Sequence, residues 1–229
     1  MFIALEGVDG SGKSTQVELL AEALGPDTLK IREPGGTEAA EAIRSTLADP
    51  LIPLDPTAEL LLFFAARADL VRRVIRPAIE AGRTVVTDRF VDSTEAYQGV
   101  ARGLGIEVVR DLNQVATGGL LPDLTILLAV DPETGLGRAE SDDRFEAEGL
   151  AFQRLVAGAY EEIARREPTR VVTVDGSGTP EQVHIRIMEA LNTRTISGES
   201  ESESGSESGT GTGSGSSGAT AERSEGAES

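Results

Sequence analysis

Cysteine and tryptophan are absent from this 229-residue chain, and histidine occurs once. Without Cys there is no disulfide framework, no thiolate chemistry and no thiolate metal site. No stretch of 18 consecutive apolar residues occurs, so nothing reads as a membrane-spanning helix. The first residues, Met1-Phe2-Ile3-Ala4-Leu5-Glu6, reach an acid at the sixth position with no basic run before it, unlike a secretory leader. These absences predict a soluble, cytoplasmic protein. Positive charge is scarce too: 21 Lys and Arg face 39 Asp and Glu, a net charge of −18. Only Lys13 and Lys30 are lysines. Residues 194–229 hold seven acids and two arginines, so five of those negative charges fall there and thirteen on residues 1–193. Both parts are acidic, which argues against a nucleic-acid partner, because that surface needs clustered bases.

What is present alternates. Five short runs rich in β-branched residues recur, at Phe2–Glu6, Thr28–Arg32, Thr84–Asp88, Leu124–Asp131 and Arg170–Asp175. Taken together they are largely apolar, the pattern expected of strands covered on both faces. Amphipathic segments of helical length separate them. Asp55-Pro56 is a good helix start, Asp as N-cap and Pro in the first turn, for a helix running to about Ala81 and stopping at Gly82. Such alternation predicts an α/β fold, a parallel sheet wrapped by helices with ligands at the carboxyl ends of its strands. From about Ser197 the chain turns to Gly, Ser, Glu and Thr, which bury too little apolar surface to offset ordering entropy. Two parts are expected: a domain over 1–193 and a disordered acidic tail over 194–229.

The strongest motif is Gly7-Val8-Asp9-Gly10-Ser11-Gly12-Lys13-Ser14, a full GxxxxGK[ST] phosphate loop, with Thr15 following. A strand precedes it and a periodic helix (Val17, Leu20, Ala21, Leu24) follows, the context the motif requires. Its glycines let backbone N–H groups converge on phosphate oxygens, and the helix N-terminus adds positive potential. Lys13 would reach the β- and γ-phosphates of ATP and the Ser14 hydroxyl would ligate Mg²⁺.

Three further segments distinguish a kinase from a switch or a motor. Arg32-Glu33-Pro34-Gly35-Gly36-Thr37 comes at the end of the second strand, with Glu41-Ala42-Ile43-Arg44 beyond it; Phe63-Phe64-Ala65-Ala66-Arg67 lies in the long helix; and Thr87-Asp88-Arg89-Phe90-Val91-Asp92-Ser93-Thr94-Glu95-Ala96-Tyr97-Gln98-Gly99 runs on from the end of the third strand. Asp88, ending a buried strand beside the phosphate loop, suits Mg²⁺ directly or through water. Arg89 and Arg44 can clamp a second phosphate. Phe63 and Arg67, four apart, share a helix face, where a ring and a guanidinium fork suit a flat base.

In combination these segments resemble the thymidylate kinases of the bacterial type, from Phe2 to about Leu191. The resemblance implies a P-loop nucleoside monophosphate kinase fold with a five-stranded parallel sheet and a short lid. It implies conversion of dTMP and ATP to dTDP and ADP with Mg²⁺, by a homodimer. By the same resemblance Phe63 stacks on thymine, Arg67 bonds the base, and Arg44 and Arg89 hold the dTMP phosphate. Ser93, Thr94 and Gln98 lie near the base, Tyr97 crowds the sugar 2′ position, and Asp9 and Glu33 are acceptor-site carboxylates.

The phosphate loop carries no Arg, so the lid is expected to supply one, from Arg138 or Arg144 in the segment after the fourth strand. An ionised acceptor phosphate needs no strong general base, which leaves the lone His184 outside the mechanism. Rival readings are a P-loop kinase for another nucleotide or nucleoside, a nucleotide switch, for which no NKxD guanine motif is present, and a non-catalytic nucleotide-binding module, against which Lys13, Ser14, Asp88 and Arg89 all stand.

Overall fold

A computed structural model describes residues 1–138 and 148–203, with side chains up to residue 193. The five expected strands form one parallel sheet: β1 (Phe2–Glu6), β2 (Leu29–Arg32), β3 (Val85–Asp88), β4 (Leu124–Ala129) and β5 (Val171–Asp175), in the order β2-β3-β1-β4-β5. In register, Leu5 lies beside Asp88 on one side and Ile126 on the other, so β1 leads its chain into the space where the strand order reverses.

Alternation along β1 splits the core. Ile3 and Leu5 pack with Val17 and Leu20 of α1 (Lys13–Leu24) and Val183 and Ile187 of α9 (Pro180–Glu203). Phe2 and Ala4 face the other way, onto Leu70, Val71 and Ile75. The result is three layers. Coverage on both faces holds for β1, β3 and β4 but not for the outer strands: in β2, Lys30 and Arg32 are exposed, and in β5, Thr173 and Asp175 are. An edge strand has one neighbour and is less completely covered, so polar residues turn outward there, although β5 still buries Val171 on one face and Val174 on the other.

The long helix begins as expected. The Asp55 side chain accepts from the Thr57 backbone N–H at 2.8 Å, with Pro56 in the first turn of α3 (Pro56–Leu70). The helix continues through a π-helical turn (Val71–Ile75) into α4 (Arg76–Glu80) and stops before Gly82, whose φ is 74°. A second π-helical stretch, Glu95–Ala101, follows α5 (Val91–Thr94) and carries Tyr97 and Gln98. Remaining helices are α2 (Glu38–Ala48), α6 (Ile106–Thr117), α7 (Pro132–Arg138) and α8 (Gly149–Arg166). The chain divides into a compact unit over Met1–Asn192 and a second over Thr193–Ser229. Helix α9 carries on to Glu203, past the point where composition alone places the tail's start.

Candidate active site

The phosphate loop closes tightly because its glycines have no side chains. Gly7, Gly10 and Gly12 all have positive φ, and a Cβ on Gly7 would lie 2.8 Å from the Leu128 carbonyl oxygen. Val8 contributes backbone only, since its side chain is core beside Leu127 and Val156. Lys13 is buried and folds over its own loop, donating to the carbonyls of Gly7 at 3.0 Å and Val8 at 2.8 Å and to Ser11 Oγ at 3.2 Å. Burial and the nearby Arg89 charge lower its pKa to about 8. The Ser14 hydroxyl donates to Asp88 Oδ2 at 2.5 Å. A hydroxyl and a carboxylate meeting at the phosphate loop are an oxygen donor pair of the kind that would suit a hard divalent cation such as Mg²⁺. Among the described residues no group of three His, Asp or Glu forms a metal cluster by itself.

One cleft collects the expected acceptor residues, Asp9, Glu33, Arg44, Phe63, Arg67, Arg89, Ser93, Thr94, Tyr97 and Gln98, together with Asp88, the expected metal carboxylate. A second, lined by Gly10, Ser11, Gly12, Thr15, Gln16, Arg138, Gly176 and Pro180, opens on the other side of the loop. Gly10, Lys13 and Ser14 line both. Two concavities therefore share one floor.

Charge in the first cleft is arranged in two nets. Arg89 pairs with Asp9 and donates to the hydroxyl oxygens of Tyr97 at 3.1 Å and Ser93 at 3.1 Å, its guanidinium 4.7 Å from the Tyr97 ring centroid. Burial alone would raise the Asp9 carboxyl; the Arg89 and Lys13 charges outweigh it and hold the pKa below its usual value. The second net is centred on Arg67. Nε and Nη2 meet Glu33 Oε2 at 2.7 and 2.6 Å, Nη1 reaches Thr94 Oγ1 and Asn113 Oδ1 at 2.7 Å each, and Nη2 reaches the Phe90 carbonyl at 2.9 Å. All five N–H groups of Arg67 thus have protein partners. Glu33 Oε1 is buried with none, and burial raises the Glu33 pKa against the pull of Arg67. Gln98 donates to Glu59 at 2.9 Å, and Arg44 donates to the Pro34 carbonyl at 3.2 Å.

Arg138, at the end of α7, is exposed at the wall of the second cleft, while Arg144 lies outside the described residues. Half-buried His184 on α9 lines neither cleft. Sequence reasoning missed Glu6, Asn113, Gln153 and Tyr160. Gln153 Nε2 donates to Asp9 Oδ2 at 2.5 Å, and Tyr160 donates to Glu6 at 2.8 Å. A signal did exist: Gln153, Val156, Tyr160 and Ile163 form a buried stripe at helical spacing, in which Gln153 is the polar exception.

Comparison with known proteins decides the family: the thymidylate kinase family model matches residues 5–187. The chain belongs to the thymidylate kinase family. A thymidylate kinase from a Synechococcus strain is 48% identical over 202 residues, covering 86% of this chain and 98% of that one. One from Rhizorhabdus wittichii is 50% identical over 200 residues, covering 83% and 96%. The crystal structure of thymidylate kinase from Ehrlichia chaffeensis superposes with a TM-score of 0.72 at 32% identity, covering 83% of this chain and 98% of that one. The five-stranded P-loop α/β fold is the fold of that family member.

Proposed function

We propose that this chain transfers the γ-phosphoryl group of ATP to dTMP, giving dTDP and ADP. The observation that carries the reading is the shared floor: two clefts, one against the phosphate loop and one lined by Phe63, Arg67, Arg44 and Arg89, meet at Gly10, Lys13 and Ser14. Two anionic nucleotides bound there point their phosphates at each other. An oxygen of the dTMP phosphate attacks the γ-phosphorus, and the bond to the β–γ bridging oxygen breaks with its electron pair leaving on ADP. Because the attacking oxygen is already ionised, no base is required, and positioning and charge neutralisation carry the rate.

In this reading the backbone N–H groups of Gly10 to Ser14 and the Lys13 ammonium hold the β- and γ-phosphates. To reach them the Lys13 ammonium turns from the Gly7 and Val8 carbonyls to which it is bonded. Ser14 and Asp88 hold Mg²⁺, which when bound neutralises phosphate charge. Arg89 and Arg44 hold the acceptor phosphate, Asp9 aligns Arg89, and Phe63 stacks on the base. Arg67 acts on the base region chiefly by fixing Thr94 and Glu33, since its own donors are spent. Arg138 and Arg144 are the candidate lid arginines, which neutralise the transferring group and exclude water when the lid closes.

A homodimer belongs to the same proposal. Its support is exposed apolar side chains, Leu61 on α3 and Val108 and Val115, seven apart on α6, carried by two helices that pack together through Leu60, Phe64 and Val109. No helix among the described residues is long and apolar enough to cross a membrane; the acidic charge and this family support a cytoplasmic enzyme without a nucleic-acid partner.

Measuring ADP formation with dTMP, dUMP, CMP and thymidine side by side tests the assignment. Mg²⁺-dependent turnover fastest with dTMP is expected. Turnover preferring CMP or thymidine would replace this reading with that of a kinase for another acceptor.

A further inference from the structure

Glu6 ends β1 one residue before the phosphate loop and is sealed from solvent, yet no step above uses it. A sealed carboxylate costs folding energy unless its lone pairs are answered, so its partners are informative. Oε1 accepts the backbone N–H of Phe90 at 2.8 Å and that of Ser93 at 3.2 Å. Oε2 accepts the Ser93 hydroxyl at 2.5 Å and the Tyr160 hydroxyl at 2.8 Å.

Both oxygens act on Arg89, from opposite ends. Oε1 holds the chain immediately after Arg89, whose φ of 72° is the left-handed conformation that side-chain-bearing residues avoid. Among the described residues Arg89 is the one non-glycine residue with positive φ. Oε2 takes the protons of Ser93 and Tyr160. Each hydroxyl has a single proton, so both oxygens are left as acceptors, and both lie at the guanidinium. Arg89 Nη1 donates to Ser93 Oγ at 3.1 Å and to the Tyr160 oxygen at 3.5 Å. Those two oxygens are 2.9 Å apart. Without the carboxylate, one would donate to the other or turn its proton toward the Arg89 charge.

We propose that Glu6 is a positioning residue for the acceptor phosphate: it holds the backbone and the guanidinium of Arg89 in the pose that faces the shared floor, working through Ser93 and Tyr160. The inference rests on the reading of Arg89 as an arginine of the acceptor phosphate. A carboxylate that merely stabilised the fold would treat every acceptor alike. One that acts through Arg89 matters only when the acceptor carries a phosphate.

Calorimetric titration of the full chain with dTMP, and with thymidine, which has the same base and sugar but no phosphate, separates the two. The wild type is expected to bind dTMP more tightly than thymidine. In Glu6→Gln an amide replaces one oxygen and sets N–H against N–H or hydroxyl donors, so dTMP affinity should fall about tenfold, the scale of one charge-assisted contact. Thymidine affinity and the KM for ATP should stay within about twofold, and adding Arg89→Ala to Glu6→Gln should weaken dTMP binding less than Arg89→Ala does alone in the wild type. Tyr160→Phe removes one of the two hydroxyls and keeps the ring in the core; a smaller loss, about threefold and again confined to dTMP, is expected, and this variant carries the test if Glu6→Gln does not fold. Equal weakening of both ligands, or an unchanged dTMP-to-thymidine ratio in the variants, overturns the role. A wild type that does not distinguish dTMP from thymidine overturns the acceptor assignment itself, and the role of Glu6 with it.

Discussion

Glu6 also sets a pH dependence that opposes its proposed service to Arg89. Burial first, and then the neighbouring Asp92 charge on α5, push its pKa from 4.5 up to about 7, against hydrogen bonds from Ser93 and Tyr160 and the charge of Arg89. The Glu6 charge in turn acts on buried Lys13 of α1, raising its pKa against burial and Arg89. An acid with a higher pKa folded than unfolded binds its proton preferentially in the native state. Its contribution is therefore complete below about pH 4.5 and is lost as pH rises through 7. From 4.5 to about 7 that loss reaches about 3 kcal/mol. Glu6→Gln cannot incur it. Urea denaturation across pH 5 to about 8 should show the wild type losing ground to Glu6→Gln, even as the variant turns over dTMP more slowly. A stability difference that stays flat with pH would mean Glu6 does not titrate there.

At the scale of elements, the decisive contact is that of α7 with the phosphate loop. A Cβ on Gly135 would sit 2.5 Å from the Asp9 carbonyl oxygen and 3.2 Å from Val8 Cγ2, and the first of these is backbone that cannot turn aside. Gly135→Ala must lift α7, and with it Arg138 three residues on. A loss of roughly 1–3 kcal/mol is expected, together with a fall in kcat. Gly137, one position before Arg138, has nothing within 4 Å of its Cβ position; Gly137→Ala should be neutral or stabilising by up to about 1 kcal/mol. Thermal melts and turnover on the pair check this, and equal behaviour of the two variants would refute it. Elsewhere the elements were largely legible. β1 matches its apolar run from end to end, and Asp55-Pro56 marks the start of α3. Two things were not. The π-helical turn at Val71–Ile75 leaves the 3.6-residue pattern almost unchanged, and the place of β2 at the sheet's edge is a matter of strand order, although the alternation in Leu29-Lys30-Ile31-Arg32 does mark which residues turn outward.

For the whole molecule, the proposal is a homodimer whose catalytic unit is complete without residues 194–229. The compact unit ends at Asn192, and every described lining residue of both clefts precedes it. A chain ending at Thr193 should keep kcat within about twofold of the full chain. Light scattering should give twice the single-chain mass for both forms. A monomer, or a truncated chain with its turnover lost, would count against the dimer or the boundary respectively.

By itself the sequence determined what is local: a phosphate loop between a strand and a helix, the five strands, and candidate groups for an acceptor's phosphate at Arg44 and Arg89 and for its base at Phe63 and Arg67. Those signals depend on spacing along one element, where backbone geometry sets which side chains meet. Only the tertiary structure decided how the charges are shared. Arg67 is spent on Glu33, Thr94, Asn113 and Phe90, and Glu6 reaches Arg89 through Tyr160, 154 positions further along the chain. Such pairings arise where strand ends and helices from distant segments converge, and buried polar atoms must then find partners among whatever the fold brings near.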